Sequence, residues 1–266
     1  MDAENTDILY TKENGIATIT LNRPDLHNTL VRGIVEGIHE ALEDAAKDDE
    51  VRVVILTGKG QAFCSGANVK GMVAEREQEL TEKQENRREK KFRWTTLALQ
   101  KCEKPIIAAI NGIAVGGGLD LALGCDIRIA SDKAKLSAIY IRRGIIPVDG
   151  GAYFLPRIVG IDKACQLILT GDMVDAKEAE RIGLVTMVVP HKELESATME
   201  LAEKLAKSAP LAVKKAKQAI YDCLSLDLES SLNHTSSLLK ELMRSEDHRE
   251  GAKAFVEKRA PVFKGK

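Results

Sequence analysis

Two short apolar runs constrain the fold of this chain more than any other feature. VRVVILTG (Val51–Gly58) and KPIIAAING (Lys104–Gly112) are rich in β-branched residues, short for a buried helix, and stopped by glycine. Each then enters small residues and a stretch of helical character: GKGQAFCSGANVKGM after the first, GIAVGGGLDLALGCD after the second. GIATITLNRP, closed by Pro24, reads as another strand, as do IRIAS and LVTMVV. Leu30 to Ala46 carries apolar positions at helical spacing and an acid-rich end, so it reads as an amphipathic helix. Strands alternating with helices predict an α/β architecture with parallel pairing. The short strands and irregular helix spacing favour a spiral of ββα units over a regular eightfold barrel, although periodicity alone does not choose. From about Glu193 onward the chain turns helical. The expected organisation is therefore a core over residues 1–192 and a helical region over 193–266.

Composition removes several functional classes. Lys plus Arg is 39 and Asp plus Glu is 40, so a net charge of -1 offers no global field for nucleic acid or an anionic membrane. The polar, acidic start MDAENTDILYTKENG lacks a secretory pattern, and the longest apolar region is broken by Asn111, Asp120 and glycines. The expected compartment is the cytoplasm, or an organelle matrix in a eukaryote. Five scattered cysteines without a CxxC read as buried reduced thiols, and the dispersed histidines predict no metal site. Glu75 to Trp94 is a dense mixed-charge run. It reads as a solvated helix, or more sharply as a basic patch for phosphate or RNA through Arg87, Arg88, Lys90, Lys91 and Arg93.

The glycines Gly116, Gly117 and Gly118 lie between a strand and a helix, with Asp120 directly after. Such a turn lets backbone approach a ligand, and its free N–H groups suit an oxygen that is becoming negative. A dinucleotide motif would need glycine where Leu121 stands, and no Gly-Lys-Ser/Thr of a P-loop is present. An acyl oxygen wants two donors, and Ser65, Gly66 and Ala67 form a matching second turn. A serine elbow is disfavoured because Phe63 and Ala67 occupy its glycine places. Either turn alone is also what tight strand–helix packing produces.

Together these segments are recognisable. ATITLNRPDLHNTL, VRVVILTGKGQAFCSGANVKGM, KPIIAAINGIAVGGGLDLALGCDIRIAS, GIIPVDGGAYFLPRIVG, LTGDMVDAKEAERIGLVTMVV and AFVEKRAPVFKGK, in this order, resemble the enoyl-CoA hydratase/isomerase (crotonase) family. The resemblance implies a crotonase-like spiral core with a C-terminal trimerisation region, assembled as a homotrimer or a hexamer of paired trimers. It implies an acyl-CoA thioester substrate, with coenzyme A entering as part of that substrate and no separate cofactor. It places the thioester oxygen between the N–H groups of Ala67 and Gly117, an oxyanion hole that stabilises an enolate. By position it makes Leu26, His27, Ser65, Gly66, Asn68, Phe263 and Lys264 candidates for holding coenzyme A.

The chain also departs from the family. A typical hydratase of this kind uses two glutamates; here Asp120 stands at the first place and Tyr140 at the second. A phenol is a weak base at neutral pH but can donate a hydrogen bond. Asp149, in IIPVDGG, is a replacement carboxylate, although an Asp-Gly turn gives the same sequence. The expected catalytic set is Ala67, Gly117, Asp120, Tyr140 and Asp149, with Tyr140 orienting the acyl group or water. The expected activity is hydration of an enoyl-CoA, with a dienoyl or cyclic dienoyl substrate in view. Double-bond isomerisation is the alternative, and an RNA-binding or inactive scaffold protein is the reading from another class.

Overall fold

The computed structural model describes residues 6–69 and 95–266. The charged run from Glu75 to Trp94, and the basic patch read into it, lie outside the described residues.

Among the described residues, ten strands form two sheets. The larger has the order β1-β2-β3-β5-β7-β10, built from β1 (Ile8–Glu13), β2 (Ile16–Leu21), β3 (Val53–Gly58), β5 (Ile106–Ile110), β7 (Ile127–Ser131) and β10 (Met187–Val189). The smaller has the order β4-β6-β8-β9, from β4 (Ala62–Cys64), β6 (Ile113–Val115), β8 (Lys135–Ser137) and β9 (Val174–Asp175). β1 and β2 form an antiparallel hairpin and β8 pairs antiparallel with β9; the other pairings are parallel. Each passage of the chain leaves one strand in each sheet: β3 then β4, β5 then β6, β7 then β8. This is the expected α/β spiral.

The unbroken apolar runs follow from burial on both faces. Val54, Leu56, Ile106, Ala108 and Ile110 point into the main core with Ile34 and Ile38 of α1 (Arg32–Lys47). Their alternates Val53, Ile55, Ile107 and Ala109 point the other way, against Leu194 and Ala202 of α6 (Leu194–Ala206). The first of the C-terminal helices thus covers the sheet. From residue 102 up to α6, the described helices are α2 (Gly117–Leu123), α3 (Gly151–Val159), α4 (Ile161–Thr170) and α5 (Ala176–Arg181).

α7 (Pro210–Cys223) begins at proline, which splits the helical stretch read after Glu193. α8 (Leu228–Leu242) and α9 (Glu246–Glu257) follow, capped by Asp227 and Ser245. α7 is tied to the sheet through Asp126, which accepts from Lys217 Nζ at 2.7 Å, Tyr221 Oη at 2.8 Å and the Ile106 amide at 2.7 Å. The cysteines correct one expectation: Cys64, Cys102 and Cys125 are buried thiols, but Cys165 is exposed and Cys223 half-buried. Cys165 sits on the outer side of α4, whose buried positions are Ala164 and Leu167.

Candidate active site

The site begins where the two sheets meet. β4 ends at Cys64, and the chain turns through Ser65, Gly66 and Ala67. β6 ends at Val115, and the chain turns through Gly116 into α2. Because β4 and β6 are parallel neighbours, with one register shift between Ala62 and Cys64, the two turns arrive side by side. A methyl group on Gly66 would lie 3.0 Å from the Gly117 nitrogen and 2.6 Å from the Val115 carbonyl oxygen. Gly66 also has φ of +80°, a backbone region that disfavours side chains. At Gly118 a side chain would overlap the Cys64 carbonyl, so helix α2 is seated directly on β4.

Each turn fixes one peptide plane. In the second, the Gly116 carbonyl accepts the amides of Leu119 at 2.9 Å and Asp120 at 3.1 Å. Gly117 is the first residue of α2, so its N–H has no partner within the helix. In the first, the Gly66 carbonyl accepts the Leu30 amide at 2.8 Å and the Thr29 hydroxyl at 2.9 Å. Leu30 bridges Ala67 in parallel fashion, so its hydrogen bonds go to the residues flanking Ala67. The Ala67 N–H therefore points away from Leu30.

The segment gripping the first turn is itself well held. The Ser65 amide donates to the His27 carbonyl at 3.0 Å. Asn28 is fully buried at φ of 53°, and its amide group donates to the carbonyls of Lys59 at 3.0 Å and Ala62 at 2.7 Å. Asn28 and Thr29 were not among the residues singled out from sequence. The available signal was a pair of polar side chains directly before the apolar face of a helix, which only burial makes meaningful.

Three acidic or phenolic groups gather beside the Gly117 turn. Asp120, on α2, is 1% exposed, and its Oδ2 accepts the Tyr140 hydroxyl at 2.5 Å. Tyr140 comes from the 3-10 turn Ile139–Arg143 after β8, and its ring edge packs on Gly116. Asp120 Oδ1 makes no well-formed hydrogen bond among the described residues; Gly151, the first residue of α3, lies against it. Asp149 reaches the same place from the loop before α3, with Oδ2 3.8 Å from where a Gly117 side chain would begin.

Burial pushes the Asp120 carboxyl up to about 7. The Tyr140 hydrogen bond offsets part of that rise, the charge of Asp149 adds to it, and the Gly151 and Asp149 amides pull it back slightly. Tyr140 is pushed well above its ordinary value by burial first, then by the charge of Asp120. Its phenol therefore keeps its proton and donates. The Tyr140 hydroxyl donates to Asp120.

The residues read as coenzyme A contacts divide between two places. Leu26, His27, Ser65, Gly66 and Asn68 cluster around the first turn, Leu26 being 41% exposed. Phe263 and Lys264 lie in the C-terminal tail, where the Lys264 amide donates to buried Asp247 at 2.7 Å and the Phe263 ring rests on Gly251. Among the described residues no contact brings the two groups together within the single chain. Among the described residues no group of three His, Cys, Asp or Glu side chains could hold a metal ion. Likewise, no described helix is long and apolar enough to cross a membrane.

The chain as a whole has known relatives. The enoyl-CoA hydratase/isomerase family model matches residues 11–266. The short-chain-enoyl-CoA hydratase of Clostridium acetobutylicum is 38% identical over 262 residues, 96% of this chain and 97% of that protein. The (E)-benzylidenesuccinyl-CoA hydratase of Thauera aromatica is 38% identical, covering 95% of this chain and 96% of its own length. The crystal structure of an enoyl-CoA hydratase from Bacillus anthracis superimposes with a TM-score of 0.93 at 38% identity, covering 98% of this chain and 100% of that one. With the family match spanning nearly the whole chain and the two-sheet spiral shared with solved relatives, this protein is an enzyme of the enoyl-CoA hydratase/isomerase family.

Proposed function

We propose that this enzyme hydrates the double bond of an enoyl-CoA, using a thioester enolate held by the Ala67 and Gly117 amides. The observation that carries the reading is the meeting of the two turns, Gly66 against Gly117, beside a buried carboxyl. Two fixed N–H donors aimed at one developing oxyanion stabilise it, and losing one such donor typically costs roughly 2.7–4 kcal/mol.

Two carboxyls side by side do not ionise equally. Asp120, the more buried, holds a proton up to about pH 7. Asp149 is half-buried and takes the role of carboxylate. In the proposed step Asp149 accepts a proton from water while the water oxygen bonds to the β-carbon. The double-bond electrons move through the α-carbon onto the thioester oxygen. Asp120 then delivers its proton to the α-carbon as the carbonyl reforms. The Asp149 proton returns to Asp120, and the cycle closes without a redox or metal step.

The coupled aspartates also support the isomerase reading. Removing a proton from one carbon of the enolate system and returning it to another needs one carboxyl that gains and loses a proton near neutrality. Assays with crotonyl-CoA, a longer enoyl-CoA, a cyclic dienoyl-CoA and a 3,5-dienoyl-CoA separate hydration from isomerisation. Asp120→Asn is expected to lower kcat about 10²–10⁴-fold on the substrate that turns over. Full turnover in that variant would refute the assignment.

Leu26, His27, Ser65, Gly66 and Asn68 are proposed to line the coenzyme A path to the thioester. Phe263 and Lys264 are proposed to serve a neighbouring subunit's coenzyme A, since their own site lies elsewhere. Residues 193–266 are proposed to carry assembly, with α6 doubling as a cover for the sheet. Leu228, Phe255 and Val256 are 76%, 86% and 80% exposed, apolar side chains that assembly would cover. A homotrimer or hexamer by light scattering is expected; a monomer would refute this part of the reading.

A further inference from the structure

The Gly66–Ala67 peptide is held by something that sequence patterns for an oxyanion hole do not include. Its carbonyl oxygen has two donors, the Leu30 amide at 2.8 Å and the Thr29 hydroxyl at 2.9 Å. Thr29 is itself 8% exposed, and its hydroxyl oxygen accepts from the Ser65 hydroxyl at 3.1 Å. The alternative partner of Ser65, the Leu26 carbonyl, is farther away at 3.4 Å. A short relay results: Ser65 hydroxyl to Thr29 hydroxyl to Gly66 carbonyl.

A peptide unit is planar and trans, so its carbonyl and N–H point in opposite directions. Fixing the Gly66 oxygen therefore fixes the direction of the Ala67 hydrogen. Two donors on the oxygen also draw electron density from the nitrogen and make that hydrogen a stronger donor, an effect that chains of hydrogen bonds reinforce. The partner peptide shows what this replaces. The Gly116 carbonyl also has two donors, but both are amides from the first turn of α2. Among the described residues the first turn has one backbone donor, the Leu30 amide, and the Thr29 hydroxyl supplies a second.

We infer that Thr29 is a positioning residue of the oxyanion hole, its hydroxyl aiming and polarising the Gly66–Ala67 peptide so that the Ala67 N–H matches the Gly117 N–H. This rests on the reading of Ala67 and Gly117 as the donors to the thioester oxygen. Thr29 touches no substrate and acts through the peptide.

The test uses the full-length protein with butyryl-CoA labelled with ¹³C at its carbonyl, a saturated thioester that cannot be hydrated. Difference infrared spectroscopy reads how far the bound carbonyl stretch falls below its value in water. Wild type is expected to show a clear fall, Thr29→Val a smaller one, and Thr29→Ser a fall equal to wild type. Turnover of crotonyl-CoA is expected to follow the same order. For Thr29→Val, kcat drops about threefold to tenfold, as one hydrogen bond warrants, while KM changes less than twofold. Near-UV circular dichroism checks that each variant is folded, and Thr29→Ala replaces Thr29→Val if the latter is not. A hydroxyl-free variant with the wild-type carbonyl shift and kcat overturns the inference but leaves the hole intact. Thr29→Ser as impaired as Thr29→Val overturns it too. A wild-type protein in which the carbonyl does not shift at all refutes the hole itself.

Discussion

The two turns that meet at the site reach the same geometry from different sources of rigidity. The Gly116–Gly117 peptide is held by its own helix: the donors to its carbonyl come from Leu119 and Asp120. The Gly66–Ala67 peptide is held by a distant segment, since Thr29 is 37 residues away in sequence. One arrangement forms wherever α2 forms. The other exists only after β2, β3 and α1 have packed and brought residues 27–30 against the end of β4. A local device tolerates changes elsewhere in the chain, whereas a long-range one can be tuned, or lost, through side chains that never reach the substrate.

Among the changes that separate the two devices, the largest effect is expected where they touch. Gly66→Ala places a methyl group 2.6 Å from the Val115 carbonyl and 3.0 Å from the Gly117 nitrogen, at φ of +80°. Backbone strain and overpacking together are expected to cost about 3 kcal/mol or more. kcat/KM should fall by roughly 10²–10³-fold as the paired donors separate. Urea denaturation and steady-state kinetics measure the two. A variant that keeps both stability and turnover would mean that the turns are not packed as described, and the comparison would have no basis.

A smaller effect isolates the long-range clamp. Asn28→Ala removes the buried donor to the Lys59 and Ala62 carbonyls and the Oδ1 that accepts the Arg23 amide at 2.8 Å. A buried hydrogen-bonding group left unsatisfied costs roughly 1–3 kcal/mol, and here the loss is expected toward the upper end. The Ala67 side of the proposed hole should loosen while the Gly117 side stays fixed. Hydrogen exchange would then report faster opening for amides of residues 62–67 than for those of α2. Equal acceleration in both would show that the two peptides share one source of rigidity.

The same division explains what could be read from the sequence. β3 and β5 were legible because burial on both faces writes an unbroken β-branched run, and α2 because glycines mark its start. β4, β6, β8 and β9 were not: two or three residues carry no period, and their strand geometry comes from pairing with each other. β1 was missed because most of its residues face solvent, so no apolar face announces it. The glycines pointed, through local chemistry, to the place where the two turns meet. Thr29 did not stand out, because its meaning lies in a contact across the fold. Tyr140 was legible as a departure from the family pattern, but not its partner: the pairing with Asp120 depends on how the turn after β8 folds beneath Gly116.

That pairing supplies the mildest test, because it changes the acid beside the proposed hole without moving either peptide. Tyr140→Phe keeps the ring that packs on Gly116 and removes only the hydroxyl that donates to Asp120. The donated hydrogen bond favours the carboxylate and so lowers the proton affinity of Asp120, against burial and the Asp149 charge, which raise it. Around Asp120 the other titratable groups that bear on the pair are Asp149, in the loop before α3, and Cys64, at the end of β4. Removing the phenol leaves the raising influences less opposed, so Asp120 should titrate above its present value of about 7. If Asp120 works as the proton donor, kcat/KM in wild type falls as pH rises through about 7. In Tyr140→Phe that alkaline limb is expected to move upward by about one pH unit, as loss of a hydrogen bond to a charged group implies. The infrared shift of bound butyryl-CoA should remain that of wild type, since neither carbonyl of the two peptides has lost a donor. A changed carbonyl shift with an unmoved limb would reverse the assignment, making the phenol part of the hole and leaving the proton of Asp120 to burial alone.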